Sequence, residues 1–144
     1  MTNLATNLSN IRTGAFRNVR TCLLNVHADV GTKVYSSYPL KNISLPLITV
    51  ENGLVKPDTD SNSLSQENGR MVTVVVTIFS KTAEKLDVYA DAVHAALKAY
   101  DTTFETYGLL LKRAGGIEDN DGGNFVDINN NRAHFKSISV TFDV

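Results

Sequence analysis

The segment Arg70–Phe79, Arg-Met-Val-Thr-Val-Val-Val-Thr-Ile-Phe, constrains this chain more than any other stretch of it. Val72, Val74, Val76 and Ile78 alternate strictly, and a period of two places all four on one face of a β-strand. Met71, Thr73, Val75, Thr77 and Phe79 form the other face, which is half apolar, so the strand is expected to be central and covered on at least part of both faces. A helix follows at once. Ser80 or Thr82 offers a capping oxygen, Glu84 suits the positive end of a helix dipole, and Leu86, Tyr89, Ala90, Val93, Leu97 and Tyr100 recur at helical spacing. The spacing predicts a helix over about 82–100, with its apolar stripe on the valine face of the strand and Glu84, Lys85, Asp87, Asp91, His94 and Lys98 in water.

Around this pair the other elements follow from pattern. Leu4, Leu8, Ile11, Ala15, Val19, Cys22 and Val26 fall on one stripe of a helix expected over about 3–28, widened by Phe16 and Leu23, weakened by Gly14 and stopped by Gly31. Arg12, Arg17, Asn18 and Arg20 occupy its polar face. Residues 33–45, with Pro39 inside and Pro46 just beyond, read as an extended connection holding one short strand at most. Leu47–Glu51 is β-rich and runs into Asn52-Gly53, a favourable turn pair. Leu109–Arg113 and Ala133–Phe142 give two further strands.

Two connections, 52–69 and 115–131, are dense in Gly, Asn, Asp and Ser and contain too few apolar residues to build cores of their own. They are expected to be extended loops or hairpin arms. The fold expected is α+β, with a mainly antiparallel sheet of about four strands packed against two main helices, in one domain over 1–144.

With 42% hydrophobic and 20% charged residues the composition is that of a folded globular domain. Fourteen Lys plus Arg against fifteen Asp plus Glu leave a formal charge of −1, which provides no global field toward nucleic acid or an anionic membrane. The single cysteine, Cys22, cannot form an intrachain disulfide and reads as a small buried hydrophobe made in a reducing compartment. Residues 1–7 lack the pattern of a secretion signal, and the apolar run near Val72–Phe79 is far below the roughly 20 residues that span a bilayer, so a soluble protein with no membrane partner is expected.

Catalytic and metal chemistry find little support. His27, His94 and His134 lack the spacing of a zinc site. Glu118, Asp119, Asp121 and Asp127 concentrate carboxylates, but a calcium loop begun at Asp119 would need different residues where Gly123, Asn124 and Asn130 stand. No nucleophile elbow, P-loop or dinucleotide-binding glycine pattern occurs. The expectation is a protein that is not an enzyme and has no catalytic residue, cofactor or metal.

The element order, together with Leu-Pro-Leu-Ile-Thr-Val at 45–50, Ser-Lys-Thr-Ala-Glu directly after the valine strand and the closing His-Phe-Lys-Ser-Ile-Ser-Val-Thr-Phe strand, resembles the tail terminator proteins of long-tailed bacteriophages over about the whole chain. The resemblance implies a structural virion protein, a homo-hexameric ring that caps the tail tube, ends its polymerisation and offers a surface to a head-completion or connector protein. It implies four contacts: copies of the same chain, the tail tube protein, the head-completion or connector protein, and DNA passing transiently through the channel. It also implies assembly in the host cytoplasm.

On that reading Leu54, Val55, Leu64, Arg70, Phe125, Val126 and His134 are candidates for subunit or tube contacts, and Glu118, Asp119 and Asp121 for a channel that repels DNA. Another neck ring such as a head-closure protein is the alternative. A small-molecule-binding domain is a more distant one, to be distinguished by a deep pocket with convergent polar groups.

Overall fold

The computed structural model describes residues 11–39, 44–57, 70–112, 115–126, 130 and 132–144. It is an α+β structure built on one mainly antiparallel sheet. β1 (Val34–Tyr35), β2 (Leu47–Pro57), β3 (Arg70–Ser80), β4 (Leu110–Leu111), β5 (Ile117–Val126) and β6 (Arg132–Asp143) share that sheet in the order β1-β2-β3-β6-β4, with β5 also beside β6. The helices are α1 (Ile11–Leu23), α2 (Ala83–Ala99) and α3 (Asp101–Thr106).

The valine strand is central, between β2 and β6. Val72, Val74, Val76 and Ile78 are at most 1% exposed and form one core with Ile48 and Val50 of β2, Ile138, Val140 and Phe142 of β6, and the buried faces of α1 and α2. α2 obeys its periodicity: Leu86, Tyr89, Ala90, Val93 and Leu97 are buried, and Thr82 caps the helix by accepting from the Lys85 amide. α1 contributes Ala15, Val19 and Leu23 to the same core.

Several expectations need correction. The first helix ends at Leu23, five residues before the expected stop near 28, because Asn25 adopts φ 60° and turns the chain; Gly31, at φ 56°, closes that turn by accepting from the Asn25 amide. Asn52-Gly53 is not a hairpin turn. β2 runs through it to Pro57, and the pair sits at a register shift between Asn52 and Val55, a bulge against β3.

Among the described residues the sheet has six strands where about four were expected, because β1 and β4 are two-residue additions and the second polar connection supplies β5. The strand expected over 109–113 is only Leu110–Leu111, and a third helix, with Phe104 fully buried, precedes it. Of the first connection, residues 58–69 lie outside the described residues, as do 1–10 with Leu4 and Leu8.

Candidate assembly surface

Both main helices cover the even-numbered face of β3; on its odd-numbered face Met71, Thr73 and Val75 are half-buried, while Thr77 and Phe79 are buried. The centre of that face is lined with hydroxyls: Thr73 bonds Thr141 at 3.2 Å and Thr77 bonds Ser137 at 3.1 Å, each between register-paired residues of β3 and β6. At one end of this face Phe79, Phe125, Phe135 and Tyr38 form an aromatic cluster. The Tyr38–Phe79 rings stand 4.8 Å apart edge to face, and Phe125 lies 5.7 Å from Tyr38 and 6.0 Å from Phe79. The cluster joins four separate chain segments and holds the far end of β5 onto the sheet.

β5 is the outermost strand on its side. It pairs antiparallel with β6 from Ile117 to Val126, with a register shift between Asp119 and Gly122. Among the described residues no strand pairs with its other edge. Gly122 permits the pairing: a Cβ there would stand 2.5 Å from the Phe135 carbonyl oxygen. The Phe135 ring lies against neighbouring Gly123, as an aromatic does when it covers a cross-strand glycine.

The acidic candidates sit on this strand and face opposite ways. Asp119 points to the helix side, where its Oδ1 is 2.7 Å from His94 Nε2 on α2, while Glu118 pairs with Ser139 on the hydroxyl face. The side chain of Asp121 lies outside the described residues. Of the contact candidates, Val126 is 53% exposed and Phe125 belongs to the aromatic cluster. Val55 packs against the chain's own core, and His134 is half-buried opposite Ser80 and Asn124. Arg70 opens β3 and Leu54 lies within the β2 bulge, but their side chains, like all of Leu64, lie outside the described residues.

The opposite edge of the sheet carries a surface that residue patterns alone did not single out. β1 covers β2 only at Ile48 and Thr49, in parallel, and beyond that point Val50, Glu51 and Asn52 border a hollow of about 430 Å³ closed by Phe16 and Ser36. A second hollow of about 590 Å³ adjoins it through the same Phe16 and Ser36, and is lined also by Arg17, Arg20, Thr21, Val34 and Tyr35. Together they make one open groove between α1 and the sheet edge. Arg20 is held in its wall by donating from Nε to the Val34 carbonyl at 3.0 Å. Arg20 lies four residues from Phe16 and three from Arg17, so spacing sets it beside both at the border of the apolar stripe and the polar face; their apposition to residues 34–36 and 50–52 depends on the fold.

The remaining polar groups are structural links. The Tyr89 hydroxyl donates to Asp29 Oδ2 at 2.8 Å, and burial together with Asp29 pushes its pKa up to about 12. The His27 ring packs edge-on against Tyr89 with centroids 4.9 Å apart. Cys22 donates to the Ala96 carbonyl at 3.4 Å, and burial pushes its thiol up to about 12.

Among the described residues no three His, Cys, Asp or Glu side chains converge as metal ligands, and no helix is long and apolar enough to cross a membrane. No family model matches the chain, and no curated protein does either.

Proposed function

We propose that this chain is a structural virion subunit that closes into a homo-hexameric ring at the end of a phage tail tube, halting tube growth and presenting a surface for head joining. One observation carries the reading: the sheet ends in two unlike borders, a Gly-, Asn- and Asp-rich edge strand at β5 and a basic, partly apolar groove at α1 and β2. A ring with a rotation axis needs two different patches on each subunit, one for each neighbour. The strand edges add exposed N–H and C=O groups that another strand can pair. Between the two borders the partly exposed Thr73, Ser137 and Ser139 supply hydrogen-bonding groups for the tube or the connector, whereas Thr49, Thr77 and Thr141 are buried.

The test is negative-stain imaging of the purified chain alone and mixed with tail tubes. Sixfold rings seated at tube ends are expected. A chain that stays monomeric with tubes present removes the reading. Deleting the gene separates it from a head-closure role, since a terminator's loss gives tails of uncontrolled length and a head-closure protein's loss gives normal tails with DNA-leaking heads.

A further inference from the structure

Strand direction alternates across the sheet. β2 is antiparallel to β3, β3 to β6 and β6 to β5, so β2 and β5 run in opposite senses. A β5 that pairs antiparallel with the β2 of another copy therefore brings that copy in the same orientation, and the same step repeated is a rotation that can close.

The backbone groups of the two edges also match. On β2 the Ile48 amide donates outward to the Lys33 carbonyl at 3.0 Å, and alternate residues of a strand bond to alternate sides, so Val50 and Asn52 turn their N–H and C=O to that same outer edge. β1 covers the edge at Ile48 and Thr49, and among the described residues no strand covers it from Val50 onward. On β6 the Thr141 amide donates toward β5, to the Gly116 carbonyl at 2.8 Å. By the same alternation Phe135 and Ala133 face their partners Gly123 and Phe125, which leaves Asn124 and Val126 directed to the outer edge of β5. Val126, the register partner of Arg132, lies on the helix side of the sheet and is exposed; on that side of β2, Phe16 closes the hollow beside Val50.

We propose that the end of β5 in one copy pairs antiparallel with β2 of the next, starting where β1 leaves off, with Val126 opposite Val50 and Asn124 opposite Asn52. Backbone bonds at these two positions supply the attachment, and Val126 enters the hollow at Phe16. A register advanced by two residues would drive Val126 into β1 at Ile48, and one retarded by two would leave Val50 unpaired, so this register uses the open edge best. The irregularity between Asn52 and Val55 ends the ladder on β2 and keeps the seat short. The proposal rests on the ring reading and names the contact that closes it.

The test is a disulfide across the seat. Opposed residues whose backbones bond each other stand about 5.5 Å apart at Cα, within the span that a disulfide bridges. Asn52→Cys and Asn124→Cys combined in one chain, assembled and oxidised, are expected to give a covalent ladder rising past the dimer. Either substitution alone, Asn52→Cys with Glu118→Cys, and the wild type are expected to give none. In sedimentation Val126→Asp is expected to weaken association by about tenfold or more. The cross-link is made at exposed residues and decides independently of how that variant folds. Rings whose paired cysteines stay unlinked, or link into dimers and nothing larger, overturn this contact while leaving the ring reading standing. Cross-linked rings that ignore tube ends do the reverse, and a wild-type chain monomeric at every concentration, with tubes present, sinks both.

Discussion

His94 on α2 and Asp119 on β5 meet at 2.7 Å, imidazole Nε2 to carboxylate Oδ1, and so tie the helix layer to the outermost strand of the sheet. Lys136 makes a parallel link from β6 to Asp87 on the same helix at 3.3 Å. Both pairs are partly exposed, so each is worth about 0.2–1 kcal/mol in a double-mutant cycle. His94→Ala is therefore expected to leave global stability nearly intact while speeding amide exchange in β5 several-fold, roughly the factor that such an energy gives. Exchange unchanged in β5 would show that the strand is held by its pairing to β6 alone.

The alkaline limb of stability should depend on Tyr89. Its folded pKa, pushed up to about 12 by burial first and by Asp29 second, lies above the ordinary value of 10.0. Between those values the unfolded chain gives up the phenolic proton and the folded chain keeps it, so stability is intact below pH 10 and declines as pH rises toward 12. Denaturant midpoints measured from pH 8 upward should fall more steeply for wild type than for Tyr89→Phe. At neutral pH the variant should lose about 1 kcal/mol for the missing hydrogen bond. Parallel pH profiles for the two proteins would refute the assignment.

Cys22 should be inert in the native state. A thiol pushed up to about 12 and bonded to the Ala96 carbonyl presents little thiolate near neutrality. A disulfide reagent at pH 8 is expected to modify the unfolded chain at least about a hundredfold faster than the folded one, from the difference in thiolate population and access. Equal rates would mean that the helix pair opens readily around it.

Gly122→Ala is expected to destabilise the protein more than Gly123→Ala. The first places a Cβ against the backbone oxygen of Phe135 at 2.5 Å, within a strand pair that cannot shift without losing register. The second meets the Phe135 ring at 3.3 Å, a side chain able to give way. About 1–3 kcal/mol is expected for the first and less for the second. Thermal or urea unfolding decides between them, and the reverse order would locate the crowding in the ring.

Phe104→Ala should be among the most damaging single changes. The ring is fully buried between Tyr100 at 5.0 Å and Phe142 at 4.9 Å, where α3 meets β6. Loss of about 3–5 kcal/mol is expected. A loss below about 1 kcal/mol would mean that the site collapses on the cavity.

The sequence by itself determined β3 and α2, and with them the core, because both elements carry their period in adjacent side chains. Val72, Val74, Val76 and Ile78 need no partner to declare a strand face, and Leu86 to Leu97 declare a helix stripe in the same way. The strands at Leu47–Glu51 and Ala133–Phe142 were legible as well, and the structure has them within β2 and β6; tertiary structure decided what remained. Asn52-Gly53 has the same local freedom in a bulge as in a turn, and only the register of β2 on β3 selects the bulge.

The polar run 117–126 lacks the apolar alternation that announces a strand, and becomes one because β6 offers it backbone partners and Tyr38, Phe79 and Phe135 receive Phe125. Arg17 and Arg20 are only the wet side of a helix until the fold sets that helix beside Val34 and Val50. Periodicity is written in neighbours along the chain, whereas strand pairing and grooves are made by backbone hydrogen bonds and contacts between residues far apart in it, which composition and spacing do not encode.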